Sequence, residues 1–194
     1  MSGQRYRSFI NKYVRTTPDA RYLEIGSWAG STAAAAIYGN EVDALCIDNW
    51  SGFGGPRDMF SANIALAQSD KVRFRFLESD FRAVDYSSLG KFNIYLFDGP
   101  HEEIDQYDGV TLVQAALDER HLLIVDDWNW REVRNGTLRA LVDSKCEVEA
   151  AIEVRTTLDG SHASGPILEK SDWHNGYFLA VIAKETSRRS NQLG

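Results

Sequence analysis

Three aspartates and one histidine carry the chemistry this chain can do. Asp98 opens the segment Asp98-Gly99-Pro100-His101, directly after the apolar run Phe92–Phe97. Asp126 and Asp127 follow a second apolar run, 122–125. Near-continuous apolar runs of this length read as strands buried on both faces. The carboxylates therefore stand at the carboxyl ends of two strands. Three acids brought together repel one another unless a cation or protons intervene. Hard oxygen donors suit Mg²⁺, Mn²⁺ or Ca²⁺ rather than zinc, so Asp98, Asp126 and Asp127 are the expected metal ligands. His101, three residues past Asp98, has an unperturbed pKa near neutrality and can take a proton from a substrate hydroxyl. A bound cation lowers that hydroxyl's pKa as well.

A second group of residues lies upstream, in Glu24-Ile25-Gly26-Ser27-Trp28-Ala29-Gly30-Ser31. It has the form of a strand, a glycine turn and a helix start. Glycines let the backbone turn sharply and let a ligand approach closely, and the helix start at Ser31 offers free N–H groups. A dinucleotide fingerprint requires G-x-G-x-x-G. Here bulky Trp28 stands where the second glycine would be. Glu24, read as pointing out of the strand end, would repel a pyrophosphate. An acid in that place suits a cationic ligand, such as the amino group of an amino-acid-type cofactor. Asp48, about 20 residues on, ends the second strand and can accept ribose hydroxyls. Asp80 ends the third and can meet an adenine amino group, although an aspartate there also reads as a cap. Asn49 and Phe81 stand beside them as further candidate cofactor contacts.

The elements that must position these groups alternate between strands and helices. Strands are expected at 21–26, 42–47, 72–77, 92–97 and 122–125, with helices at 31–38, 59–68, 105–117 and 130–142. A short amphipathic helix at 8–14 precedes them, broken by Thr16-Thr17-Pro18-Asp19. Strands at 148–154 and 177–183 end the chain as a hairpin. This pattern predicts an α/β fold of Rossmann type: a mostly parallel seven-stranded sheet with helices on both faces and a C-terminal antiparallel hairpin. Ligands on such sheets sit at the carboxyl ends of the strands. Residues 158–174 form a polar, glycine-containing connector long enough to act as a lid. Residues 1–186 read as one domain and 187–194 as a frayed tail.

Composition sets the outer limits. The chain has 194 residues, 43% hydrophobic and 25% charged, and a net charge of −7. An acidic balance argues against a large nucleic-acid footprint. No apolar run approaches the ~18 residues of a membrane span, and the first residues lack the apolar core of a signal peptide. A cytoplasmic protein is expected, with Cys46 and Cys146 as free thiols. His121 reads as the cap of a strand start. Arg131 and Arg134 read as balancing the acidic pair. The aromatic residues Trp28, Trp50, Phe53, Trp128, Trp130 and Trp173 fall near strand ends or loops, where they can wall a pocket or pack as core.

Taken together, the residues resemble the class I S-adenosylmethionine (SAM)-dependent methyltransferases. The segment from Glu24 to Ser31 is similar to that family's first motif, in the form found in macrocin- and mycinamicin-type sugar O-methyltransferases and in cephalosporin-hydroxylase-like proteins. Asp98-Gly99-Pro100-His101 resembles their D-G-x-H segment. Asp126-Asp127-Trp128, followed by Val133-Arg134, resembles their acidic pair and next helix. The resemblance implies SAM held by Glu24 and Gly26 at its amino-acid part and by Asp48 at the ribose, with Ser27, Gly30 and Ser31 as further cofactor-binding residues. It implies Mg²⁺ on Asp98, Asp126 and Asp127, with His101 as general base. The expected partner is a small hydroxyl-bearing acceptor: a sugar, a glycosylated natural product or a catechol-like diol. Neither nucleic acid nor membrane is expected as a partner, and a second subunit completing the pocket stays open. Two readings compete: a nicotinamide-dependent oxidoreductase, against which the glycine spacing speaks, and a non-catalytic SAM-binding domain.

Overall fold

The computed structural model describes residues 2–163 and 172–185. Seven strands form one sheet in the order β3-β2-β1-β4-β5-β7-β6. The strands are β1 (Arg21–Ile25), β2 (Val42–Asp48), β3 (Val72–Glu78), β4 (Phe92–Phe97), β5 (Leu117–Asp126), β6 (Cys146–Val154) and β7 (Tyr177–Lys184). The first five pair in parallel, and β7 runs antiparallel to both β5 and β6. Strand order reverses between β1 and β4. The fold class expected from the sequence is therefore the one observed. Of the lid expected at 158–174, residues 164–171 lie outside the described residues, as does the whole of the tail at 187–194.

Among the described residues, five α-helices cover the sheet: α1 (Gln4–Thr16), α2 (Ser31–Ile37), α3 (Arg57–Ala67), α4 (Glu103–Thr111) and α5 (Arg131–Asp143). Side chains alternate across each strand, so every strand feeds two cores. On one face, Tyr22, Ala44, Ile94, Leu96, Leu122, Ile124 and Tyr177 meet α1, α2 and α3. On the other, Leu23, Tyr95, Phe97, Leu123, Val125 and Phe178 meet α4 and α5. Full burial of a side chain of this size stabilises by about 1.5–3 kcal/mol.

Helix α1 extends past both ends of the expected 8–14 segment. Tyr6, Ile10 and Val14, spaced four apart, are buried on one stripe. The Asn11 amide bonds Ala35 O and Tyr38 O at the end of α2 and locks the two helices together.

The expected helix 105–117 stops at Thr111, and a 3₁₀ stretch, Leu112–Ala116, completes the connection. Strand β5 then begins five residues before the expected 122. Its polar start pairs with the end of β7, Arg120 opposite Ala183 and His121 opposite Ile182. Pairing with a neighbour makes this segment a strand, and no local apolar signal announces it. His121 accordingly sits inside a strand and caps nothing. It is buried, its Nδ1 lies 3.0 Å from Asp118 O, and burial lowers its pKa to about 4. Cys46 and Cys146 are free thiols. Among the described residues, no helix is long and apolar enough to cross a membrane.

Candidate functional site

Register brings the site together. Ile25 lies opposite Phe97, Phe97 opposite Val125, and Asp126 opposite Tyr177. One step further along the parallel strands, Gly26, Asp98 and Asp126 follow side by side, with Tyr177 next in the row. Their parity is that of Glu24, Leu96 and Ile124, so these side chains share the face that α1 covers. Gly26 makes the row possible. Its φ is +86°, and an added Cβ would stand 1.9 Å from Asp98 O. The glycine is needed for backbone packing against β4 before any ligand is considered.

Asp127 breaks the strand's alternation. Its φ is +56°, in the left-handed region, and this turns its carboxylate away from the strand row. Oδ2 stands 2.7 Å from His101 Nε2, and Oδ1 accepts a 2.7 Å bond from Asn175 Nδ2. His174 Nε2 and His162 Nδ1 lie 3.3 and 3.5 Å from the same amide nitrogen. Trp130 stands edge-on between His101 and His162, at 4.8 and 5.0 Å. Three of the chain's four histidines thus gather around Asp127. His162, His174 and Asn175 lie on the connection between β6 and β7 and belong to no motif. The one available clue is that Asn175 lies two residues before the strand that pairs beside the acids.

Ligand atoms of Asp98, His101 and Asp127 all lie within 4.8 Å of one another, and they are the one such group among the described residues. Asp126 is outside this group. It lies next to Asp98 on the strand row, and its Oδ1 accepts the Asp127 backbone N–H. Burial first, and then repulsion from neighbouring acids (Asp126 and Asp127 on Asp98, Asp127 on Asp126), raise the Asp98 and Asp126 carboxyls well above the usual range. Burial pushes Asp127 up too, but the His101 contact and the Asn175 amide outweigh it and hold the group below its ordinary value. The site therefore keeps one carboxylate ionised by pairing it, beside two whose ionisation lacks a counter-charge.

At the cofactor end, Glu24 does not point out of the strand. It is fully buried, accepting from Tyr22 OH and from Thr32 Oγ1, the latter at 2.9 Å. Burial, only partly offset by these bonds, raises its pKa to about 7. Ser27 lies beside it, and Gly30 caps α2 in the left-handed region ahead of Ser31. Asp48 braces the glycine turn, its two oxygens accepting from Trp28 N and Trp50 N, each at 2.7 Å. Asn49 Oδ1 takes Ser51 N. Asp80 caps a short 3₁₀ turn through Arg82 N, and Phe81 is buried against Phe97.

The arginines expected to balance the acidic pair do other work. Arg134 Nη1 caps Trp128 O and Asn129 O, and Arg131 reaches Glu132 at 3.9 Å. Among the aromatics, Trp128 is core, stacked on Phe178 at 4.4 Å. Trp50 packs on Phe60 and Phe76. Phe53 is exposed. Trp130 lines the histidine cluster, and Trp173 packs on Tyr6 and Tyr177.

With this geometry in place, the comparison with solved structures is informative. No protein-family model matches the sequence, and no curated protein does either. Solved structures do match. TrmN from Thermus thermophilus superposes with a TM-score of 0.58 at 15% identity, covering 92% of this chain and 48% of its own. A putative O-methyltransferase from Klebsiella pneumoniae gives 0.57 at 16%, covering 91% and 79%. The O-methyltransferase from Bacillus cereus, solved with S-adenosylhomocysteine (SAH), gives 0.58 at 15%, covering 91% and 80%. The chain spans about half the length of TrmN and of a putative SAM-dependent methyltransferase from Streptococcus mutans. At these identities the likeness defines the fold, and it is the Rossmann-like fold of SAM-dependent methyltransferases.

Proposed function

We propose that this protein is a SAM-dependent, metal-assisted O-methyltransferase. Its acceptor is a hydroxyl on a small molecule: a sugar, a glycosylated natural product or a catechol-like diol. The observation that carries this reading is the convergence of Asp98, His101 and Asp127 at the strand ends of a methyltransferase fold, next to the Glu24–Gly26 turn. A set of crowded carboxylate oxygens, two of them without a counter-charge, fits a hard divalent cation. Asp98 and Asp127, with Asp126 alongside, would hold Mg²⁺ or another hard divalent ion.

Such an ion supplies Lewis acidity, lowering the pKa of a vicinal diol that chelates it. The protein does the rest. Asp127 fixes the His101 ring through the 2.7 Å contact, and Asn175 fixes Asp127 from the other side. With Nε2 of His101 held by Asp127, the other ring nitrogen, Nδ1, takes the proton of the acceptor hydroxyl. Glu24, Gly26, Ser27, Gly30 and Ser31 hold the amino-acid part of SAM, Asp48 and Asn49 the ribose side, Asp80 and Phe81 the adenine side. Asp98, between the glycine turn and Asp126 on the strand row, would lie at the boundary between cofactor and metal. Alignment of methyl donor and acceptor supplies most of the acceleration.

Calorimetric titration with SAH, in chelator and then in Mg²⁺, tests the cofactor and the metal together. Binding that strengthens with Mg²⁺ supports the reading and opens a screen of polyols and catechols with labelled SAM. Binding with no metal effect and no transfer to any acceptor points to a non-catalytic SAM-binding domain. Absence of SAH binding with tight NAD binding overturns the proposal. Asp98→Ala is expected to reduce turnover by at least about 10³-fold, since it removes a charge that acts on the reacting groups, while keeping substantial SAH affinity. Full activity in that variant, or in excess EDTA, excludes the metal mechanism.

A further inference from the structure

The outer surface of the layer formed by α1, α2 and α3 carries a feature that no motif announces and the proposed chemistry leaves unused. An open groove of about 480 Å³ runs along α2, with α1 as one wall and α3 as the other. Helix α2 is short and largely alanine. Its lining positions Ser31, Ala34, Ala35 and Tyr38 are spaced by three and four and so share one face. The small side chains at its centre keep the floor low. Leu66 of α3 and Tyr38 rise from the lining as large apolar groups, 82% and 65% exposed.

The charge of this surface is opposite to that of the chain. The protein carries a net −7, yet the one charged residue lining the groove, among the described residues, is Arg7. Helix α1 holds Arg5, Arg7, Lys12 and Arg15 and no acid. Arg5 pairs with Asp172. The other three make no ion pair among the described residues. Asn11, between Arg7 and Arg15 on the same stripe of α1, reaches Ala35 O and Tyr38 O. Arg15 reaches Asn11 Oδ1 at 3.0 Å and Asn40 Oδ1, just beyond α2, at 3.3 Å. The two arginines are therefore about 12 Å apart along α1, one lining the groove and one past its far end.

An occupant that fits has apolar side chains for the trough and acids for α1. Nucleic acid fits poorly, since backbone binding neutralises about 6–10 phosphates and here three cations border an apolar floor. An anionic membrane is met by clusters of about 4–8 cations, again more than α1 offers. An amphipathic helix fits both features. Its apolar anchors at i, i+3 or i+4, and i+7 follow a trough of this kind, and acids seven or eight positions apart on its flank span the distance from Arg7 to Arg15. We propose that the α2 groove docks an acidic amphipathic helix of a partner protein. The apolar face lies on Ala34 and Ala35 between Tyr38 and Leu66, and the carboxylates meet Arg7 and Arg15. This surface is independent of the methyl-donor reading.

The test is a selection from a phage-displayed library of helical peptides on the full chain, followed by titration of the enriched peptides by fluorescence anisotropy. Enriched peptides are expected to combine the anchor spacing with acids seven or eight positions apart. Arg7→Glu, which reverses the charge, and Ala35→Trp, which fills the floor, should each weaken binding about tenfold or more. Arg131→Glu, the same charge change on α5, should leave it unchanged. Thermal denaturation checks folding, and Leu66→Ala, at an exposed position, replaces Ala35→Trp if that variant fails to fold. No enrichment, enrichment without acids, or equal affinity for wild type and the groove variants overturns the proposal. A short RNA duplex, phosphatidylglycerol vesicles and the oligomeric state of the protein are measured alongside. Binding of RNA or vesicles, or self-association, that is lost in both groove variants assigns the groove to that occupant and overturns the proposal as well.

Discussion

Glu24 and Asp127 are both buried carboxylates at the rim of one sheet, and their surroundings drive them in opposite directions. Glu24 is enclosed by elements formed early in the chain: the β1 backbone, the α2 start and the Tyr22 and Thr32 hydroxyls. Its neutral donors lessen the burial penalty without cancelling it, and its pKa rises to about 7. Asp127 is enclosed largely by loop residues: His101 after β4 and Asn175 before β7. A histidine and an amide outweigh the same penalty and keep the acid ionised. The comparison teaches that burial alone does not set the charge of a site. The partner does, and here two carboxylates at one edge of the sheet are supplied with different partners.

The largest effect expected from breaking this contrast is at Gly26. Gly26→Ala places a Cβ 1.9 Å from Asp98 O at a φ of +86°. We expect a loss of more than about 4 kcal/mol, read as collapse of the urea midpoint or as insoluble protein. On the loop-built side, Gly160 has a similar φ of +81° but only Asn129 O, at 3.6 Å, near its Cβ. Gly160→Ala should cost about 1 kcal/mol. Equal costs would show that the two ends are equally rigid.

Next in size is the titration of Glu24. Its folded pKa lies above its reference value of 4.5, so the folded state holds the proton more tightly. The resulting stability is complete below about pH 4.5 and is lost as pH rises through about 7. A displacement of this size corresponds to about 3 kcal/mol. Glu24→Gln should flatten denaturant-derived stability between pH 5 and 8. An unchanged slope would mean that another group titrates there.

Asp127 has the opposite sign. Its folded pKa lies below 3.8, so its contribution is present above that value and is lost as pH falls through the folded pKa. Asn175→Ala removes one of the two bonds that hold it there. The acid loss should begin at higher pH, with about 1–2 kcal/mol less stability at pH 4. Turnover should fall about tenfold at neutral pH through a loosened His101. Wild-type behaviour in both measurements would separate Asn175 from the site. The smallest effect is expected for Asp80→Ala, about 0.5–1 kcal/mol of stability from the lost cap. An SAH affinity that drops with it would support the adenine-side role.

Much of this was legible in sequence, and the reasons for the gaps are physical. Asp98, Asp126 and Asp127 ended apolar runs, and parallel strands deliver such residues to one edge. The Glu24-to-Ser31 turn was equally visible, because glycine and helix-start signals are local. The β5 start at Leu117 was not visible, since its strand character comes from β7, some 60 residues away. Glu24 carried the right residue type but the wrong direction, because strand parity and the cover of α1 decide which way a side chain turns. Asn175 was hidden for the same reason, and His162 and His174 could be read only as residues of a lid able to touch substrate, not as neighbours of Asp127. They reach Asp127 through the hairpin pairing, and nothing in their own spacing announces chemistry. The α2 groove lies farthest of all from any motif, and only the packing of α1 and α3 beside α2 reveals it.

The left-handed backbone at Asp127 has a consequence for how this molecule can change over time. It splits two neighbouring codons between different parts of the cleft, one facing the strand row and the other facing a loop-borne cluster. Changes in the loop that carries His162, His174 and Asn175 can alter what lies against Asp127 while the row of Gly26, Asp98 and Asp126 keeps its spacing. The loop side of Asp127 is thereby free to diversify while the strand row is held to a fixed shape.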